Sequence, residues 1–326
     1  FCALAPDHRL FILARIFAGA FGGPLGAIVF SIIGDKIPEK RRGAATGKVM
    51  SAFAMASILG IPFGLKLANA WSWRAPFFLL TGLSIILFLI GARTLPTMID
   101  HIRKMHRRNH IRETLSILIK PNHVRAYVLS GMLLIGSFSV IPFISPYMVS
   151  NAGFLESNLM YIYLIGGSVT FFTAPLIGKL SDIFGKYRMF SIMAIISVAP
   201  ILMVTHLNET ADWIVIVSTT FFMICSSGRM VPATALVTSS ALPHERGGFM
   251  SINSSVQQFA AGIATYFAGH IIQKTSSGKM LNYDWVGYIA IITTLLCLWL
   301  ARRVRPAAGI RNLVDAKDIA GVSSEI

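Results

Sequence analysis

Arg229 stands inside an otherwise uncharged run, 213–242, three residues before Pro232. A charge in so apolar a segment is costly and is a functional candidate by default. A helix opened at proline exposes backbone groups that must line a cavity or meet polar partners. Arg229 could hold an anionic substrate group or pair with a proton-carrying acid; the alternative places it near a surface, on an extension into a loop. Asn253 and Gln257 are four residues apart and share a helical face, with Gln258 beside them. They could bind substrate or join helices by hydrogen bonds. Arg15, followed four residues later by Gly19, lies in the first long apolar run, where it either faces a pathway or snorkels to headgroups. Tyr161, Tyr163, Phe138 and Tyr147 could line a permissive aromatic pocket or serve as packing anchors. His270 falls close to the outer end of its run, where solvent exposure is the plain reading.

The most specific string is GKLSDIFGKYR, residues 178–188. Gly178 and Gly185 permit close helix approach and a tight turn. Asp182 can face the N-terminus of a neighbouring helix, where the macrodipole favours an anion. Lys186 and Arg188 would stay in the headgroup layer and pair with acidic groups. Elsewhere catalytic constellations are missing: there is no HExxH, no GxSxG and no paired carboxylate within an apolar run, so an enzyme is not expected. All 14 Asp and Glu residues sit between apolar runs or at their ends. Cys2, Cys225 and Cys297 are isolated, with no metal spacing and no obvious disulfide pairing.

These residues are carried by nine long stretches poor in charge: about 10–33, 49–70, 75–92, 126–150, 157–178, 189–207, 213–242, 247–272 and 285–301. A helix crosses a bilayer core with roughly 20 apolar residues, and lipid satisfies no open backbone group, so the fold class is all-α and integral to a membrane. Composition agrees: 54% of the 326 residues are hydrophobic and 13% charged, and mean hydropathy is +0.66. The formal charge of +15 would suggest nucleic acid in a soluble protein, but alternate loops hold 22 and 3 basic residues. That is the positive-inside pattern, which expects the rich loops and the C-terminus in the cytoplasm. Arg246 against Lys274 and Lys279 runs against the trend.

The basic loop 93–125 divides four spans from five, and Leu115, Ile117 and Leu118 suggest a short amphipathic helix along the membrane surface. A weak repeat relates PEKRRGAATG at 38–47 to PHERGGFMS at 243–251, with the pairs Arg42-Gly43 and Arg246-Gly247 offset by 204 residues. Two halves of six spans would then leave two spans missing before FCALAP, which reads as the outer end of a third. The expected organisation is 1–96 as the rest of a first half, 97–123 a linker, 124–302 a six-helix second half, and 303–326 a tail.

With these strings in hand, the chain resembles the major facilitator superfamily. GKLSDIFGKYR resembles its signature loop, RIFAGAFGGP (15–24) its fourth-span pattern, and SWRAPF (72–77) its following span. GIPFG, with Gly60, Pro62 and Gly64, resembles the kink of the twelve-span drug:proton antiporter branch (arabinose-efflux-permease-like). The Pro would kink the helix and the glycines would admit a packing partner. The resemblance implies two pseudo-symmetric six-helix halves and proton-coupled efflux of a small organic molecule, drug or sugar-like, by alternating access. Alternatives are a nutrient uniporter or proton symporter of the same family, or a non-functional truncated fragment. The proton-binding acid that many such antiporters carry in the first span would belong to the absent segment; otherwise coupling uses His270 or Arg15, or is lacking. The expected partners are a small-molecule substrate and the bilayer, with no nucleic acid and no cofactor beyond the proton gradient. The expected setting is the inner membrane, as a monomer.

Overall fold

The computed structural model describes residues 1–94 and 110–307. Its helices are α1 (His8–Lys36), α2 (Arg42–Met55), α3 (Ile61–Ala70), α4 (Ala75–Thr94), α5 (His110–Ile119), α6 (Pro121–Phe138) and α7 (Ile144–Ser150). They continue with α8 (Leu159–Phe184), α9 (Lys186–Ile196), α10 (Val198–His206), α11 (Asp212–Ser239), α12 (Arg246–Ile271) and α13 (Tyr283–Arg303). A short antiparallel hairpin, β1 (Gln273–Lys274) and β2 (Met280–Leu281), links α12 to α13. All nine apolar stretches lie mainly on helix.

Local chemistry sets where these helices start and break. The Asp7 carboxylate accepts the Leu10 N–H at 2.8 Å and caps α1. Pro121 occupies the first turn of α6, where its missing N–H is not needed. A π-helical turn, Ala56–Gly60, joins α2 to α3, and Pro62 follows in the first turn of α3. A proline cannot donate to the helix ladder, and the wider turn absorbs that mismatch. By contrast, α8 and α11 run through Pro175 and Pro232 without ending.

Among the described residues, seven helical stretches are long and apolar enough to cross a membrane: His8–Gly34, Ala75–Arg93, Pro121–Ser150, Glu156–Phe184, Lys186–His206, Asp212–Ser239 and Tyr283–Arg303. The other two expected spans are helical but differ in kind. Arg42–Ala70 is interrupted by the π turn, and α12 carries Asn253, Ser254, Gln257 and Gln258 towards an internal cavity. A helix facing a polar cavity can be less apolar than one facing lipid only.

Burial is uneven. Half or more of the most apolar window is buried in Pro121–Ser150, Lys186–His206 and Asp212–Ser239, against 12% in His8–Gly34 and none in Ala75–Arg93. Large side chains such as Phe17, Phe21, Leu87 and Phe88 stand exposed on α1 and α4. In water such a surface would drive association; in a bilayer it meets its solvent. The expected amphipathic helix is present as α5, but it docks rather than lying free. Ile117 is 5% exposed within the core, and its carbonyl oxygen lies 2.9 Å from His123 Nδ1. Leu115 and Leu118 point outward. The rest of the expected linker, 97–109, and the tail from 308 lie outside the described residues.

The 204-residue offset recurs in the helices. The starts of α1 and α11, His8 and Asp212, and those of α2 and α12, Arg42 and Arg246, are both 204 residues apart. The Arg42 side chain donates to the Ile37 carbonyl at 3.1 Å, and Arg246 to the Ala241 carbonyl at 3.4 Å, five residues back in each case. Each arginine thereby fastens the preceding loop to the helix that it opens.

Candidate functional site

The loop 178–188 forms a junction between α8 and α2. Asp182, near the end of α8, accepts the Gly43 N–H on Oδ1 at 2.9 Å and the Ala44 N–H on Oδ2 at 2.8 Å. These N–H groups belong to the first turn of α2, which no helix can satisfy internally, and the helix dipole there favours a carboxylate. The helices meet backbone to backbone. A Cβ on Gly43 would stand 2.5 Å from the Gly178 carbonyl oxygen, and one on Gly47 would stand 2.6 Å from that of Ala174.

Gly185 ends α8 with φ +92° and ψ 139°, a conformation that side chains rarely adopt. Among the described residues no neighbour lies within 4 Å of a Cβ placed there, so Gly185→Ala isolates the backbone strain. We expect it to cost about 1–3 kcal/mol, read as a lowered melting midpoint of the purified protein in detergent. Lys186 opens α9 half-buried, whereas Arg188 points outward rather than pairing with an acid in any described bridge.

A second junction lies alongside. Gly34 of α1 packs under the Arg246 side chain of α12, and a Cβ there would overlap that chain. Arg246 is 1% exposed. Next to it Glu245 forms an ion pair with Lys120, and His123 Nε2 lies 4.0 Å from its second carboxylate oxygen.

Beyond these junctions, a cavity of about 800 Å³ opens between α1 and α2 on one side and α6, α8, α11 and α12 on the other. Its polar lining comes from Ser226, Ser227, Asn253, Gln257, Gln258 and Tyr163, and no Asp, Glu, Lys, Arg or His is among its described lining residues. Two buried polar atoms in this wall, Asn253 Oδ1 and Thr170 Oγ1, have no hydrogen-bond partner among the described residues. Met50, Met223, Met230 and Met250 supply a soft apolar lining that can adapt to different shapes.

Arg229 sits one side chain behind this wall. It is 1% exposed and lies inside α11, so it does not stand on an extension into a loop. Its Nη1 donates to Thr294 Oγ1 at 2.5 Å and its Nη2 to Ser137 Oγ at 3.0 Å, joining α11 to α13 and α6. Ser137 also lines the cavity.

The other residues singled out fall as follows. Arg15 and Gly19 do not line this cavity: Arg15 is exposed beside a separate apolar space between α1, α4 and the N-terminal segment, and nothing lies within 4 Å of a Cβ on Gly19. The glycines that α1 turns towards the cavity are Gly22 and Gly26. Gly60 and Gly64 have no packing partner within 4 Å among the described residues, and Gly60 ends the π turn; the Pro62 side chain is outside the description. Of the aromatics, Phe138 and Tyr163 reach the cavity, Tyr163 held by Ser145 at 2.6 Å. Tyr161 is exposed, while Tyr147 packs against Tyr283 with the rings tilted by 41° and centroids 4.5 Å apart. His270 is exposed, its Nδ1 3.0 Å from the Tyr266 carbonyl oxygen. The sequence reading missed Ser137, Thr170, Ser226, Ser227 and Thr294. Ser137 and Thr294 bond their own helix backbone like other span hydroxyls, so only tertiary placement marks these residues out.

A family model described as Major Facilitator Superfamily matches residues 1–172 and, in a second placement, 126–321. The MFS-type transporter YtbD of Bacillus subtilis is 22% identical over 300 residues, 90% of this chain and 73% of YtbD. The multidrug resistance protein MdtG of Escherichia coli is 23% identical over 247 residues, 73% of this chain and 59% of MdtG. Among solved structures, the E. coli fucose:proton symporter FucP aligns with a TM-score of 0.68 at 14% identity, covering 94% of this chain and 79% of that one. That likeness is one of fold alone. Family and fold are those of multi-pass membrane transporters, not of enzymes.

Proposed function

The chain belongs to the Major Facilitator Superfamily, and on that premise we propose that it exports a small organic molecule in exchange for protons, by alternating access to the cavity beside Asn253 and Gln257. The observation that carries this reading is the cavity itself. It lies between α1 and α2 and the helices from α6 onward, near a seam where Asp182 ties α8 to α2. A transporter that rocks two bundles about a central site needs such a cavity and a seam that can open. Likeness to MdtG, a multidrug resistance protein, supports efflux of organic compounds. The fold of FucP, a fucose:proton symporter, supports proton symport as the second reading. The same proposal sets the chain in the inner membrane as a monomer with a cytoplasmic C-terminus, needing no bound cofactor. Gly178, Asp182 and Gly185 then serve as the hinge of the seam, and Asn253 and Gln257 as ligand contacts.

The test is proton movement in everted vesicles from cells expressing the chain. Adding a transported compound from a panel of organic solutes should collapse a respiration-driven pH gradient in part. Asn253→Ala with Gln257→Ala should abolish that response. Solute flux without proton movement would point to a uniporter, and solute accumulation with the proton flow reversed would point to a symporter.

A further inference from the structure

Arg229 carries a full positive charge in the middle of a span, and among the described residues no carboxylate lies within ion-pair distance of it. Two of its nitrogens are held by neutral hydroxyls, Ser137 and Thr294, whose own protons go to the carbonyls of Leu133 at 2.9 Å and Ala290 at 2.7 Å. Its Nε has no partner among the described residues. Hydroxyl dipoles orient around such a charge but do not neutralise it, and an unpaired ion away from water is expensive. The cavity in front of Ser137 holds no acidic side chain among its described lining residues to compensate. Its wall therefore sits in an uncompensated positive field, which falls off slowly in a low-dielectric interior.

The neutral groups that face this field suit one kind of guest. Gln257, Ser226, Ser227, Thr170 and the amide group of Asn253 place N–H and O–H donors along the wall. The methionines and Phe30, Phe138 and Phe222 supply adaptable apolar surface. We propose that the cavity takes an amphipathic organic monoanion, its acid group drawn to the Ser137 side of the wall by the buried charge of Arg229. This rests on the cavity being the transport site. Arg229 acts through Ser137 and the field; it is a positioning residue. Cationic amphiphiles, which need an acidic partner, are disfavoured by the same field.

Three probes with one apolar body test this: 2-naphthoate, 2-naphthamide and 2-naphthyltrimethylammonium, measured by equilibrium binding to the purified full chain in detergent. The anion should bind about tenfold or more tightly than the cation, with the amide between them. Arg229→Gln should bring anion and cation within about twofold while naphthamide still binds, and Arg229→Lys should keep the anion preference. Should Arg229→Gln not fold, the order of the three probes on the unaltered protein decides alone. A cation that binds as tightly as the anion, with both weakened by Asn253→Ala, overturns the charge selection and leaves the cavity as the site. Binding indifferent to Asn253→Ala and Thr170→Val, or no saturable binding of any probe, overturns the cavity reading and this inference together.

Discussion

Asp182→Asn should free the first turn of α2 and suppress transport by roughly tenfold or more. The carboxylate accepts two backbone N–H groups at once, at 2.9 and 2.8 Å. Its amide isostere keeps one acceptor and turns an NH₂ donor towards the other N–H, so one hydrogen bond becomes a repulsive contact. The charge that suits the helix terminus goes as well. A hydrogen bond to a charged group contributes about 1.5–3 kcal/mol, which corresponds to about a ten- to hundredfold change in the equilibrium between a joined and a parted seam. Asp182→Glu should rescue little, because the extra methylene displaces a carboxylate whose two oxygens are both engaged. Hydrogen–deuterium exchange reads this without knowledge of the substrate. The peptide covering Gly43 and Ala44 should lose protection by that factor in Asp182→Asn, while peptides from α13 stay as they are. Unchanged exchange at α2 would remove Asp182 from the seam's energetics, whatever the transport rate.

How much of this could be read in the sequence follows from what lipid does to hydrophobic patterning. Span positions were legible because a run of roughly 20 residues almost free of charge suits a bilayer core and little else. The signature loop was legible because glycine and aspartate at fixed spacing have distinct physical uses, and Asp182 lies against a helix N-terminus. Helix rotation was much less legible. In a soluble protein the apolar face of a helix marks the core, but a span facing lipid on one side and protein on the other is apolar on both. Arg15 and Arg229 therefore look alike as residues, each within an apolar run, although one is exposed and the other 1% exposed. The polar partners of Arg229 were hidden for the same reason, since Ser137 and Thr294 are 157 residues apart and belong to no motif. GIPFG shows a different limit. The string is specific, yet its glycines meet nothing within 4 Å among the described residues, because a sequence motif records what a helix can accept and not what occupies it.

Gly178→Ala should be among the most damaging single-methyl changes in the chain, for a reason that side-chain repacking cannot relieve. The atom facing its missing Cβ is the carbonyl oxygen of Gly43, with Ala44 Cα 3.1 Å away. Both belong to the backbone of α2, so accommodation requires α2 and α8 to move apart as rigid bodies. That movement would also stretch the two Asp182 hydrogen bonds and loosen the approach of Gly47 to Ala174. Overpacking costs about 1–3 kcal/mol where side chains can yield, and the coupled loss of the Asp182 contacts puts Gly178→Ala at or above the upper end. Gly262→Ala is the control: it is also a helical glycine, but nothing among the described residues lies within 4 Å of a Cβ there. With no clash, the helix preference for alanine over glycine should leave that variant neutral or more stable by up to about 1 kcal/mol. Melting midpoints of the two purified proteins in one detergent give the comparison. If the helices pack as closely as the glycines indicate, the midpoint falls for Gly178→Ala and holds or rises for Gly262→Ala. Equal midpoints would mean that the α2–α8 seam is looser than a backbone contact between Gly43 and Gly178 allows, and the Asp182 prediction would weaken with it.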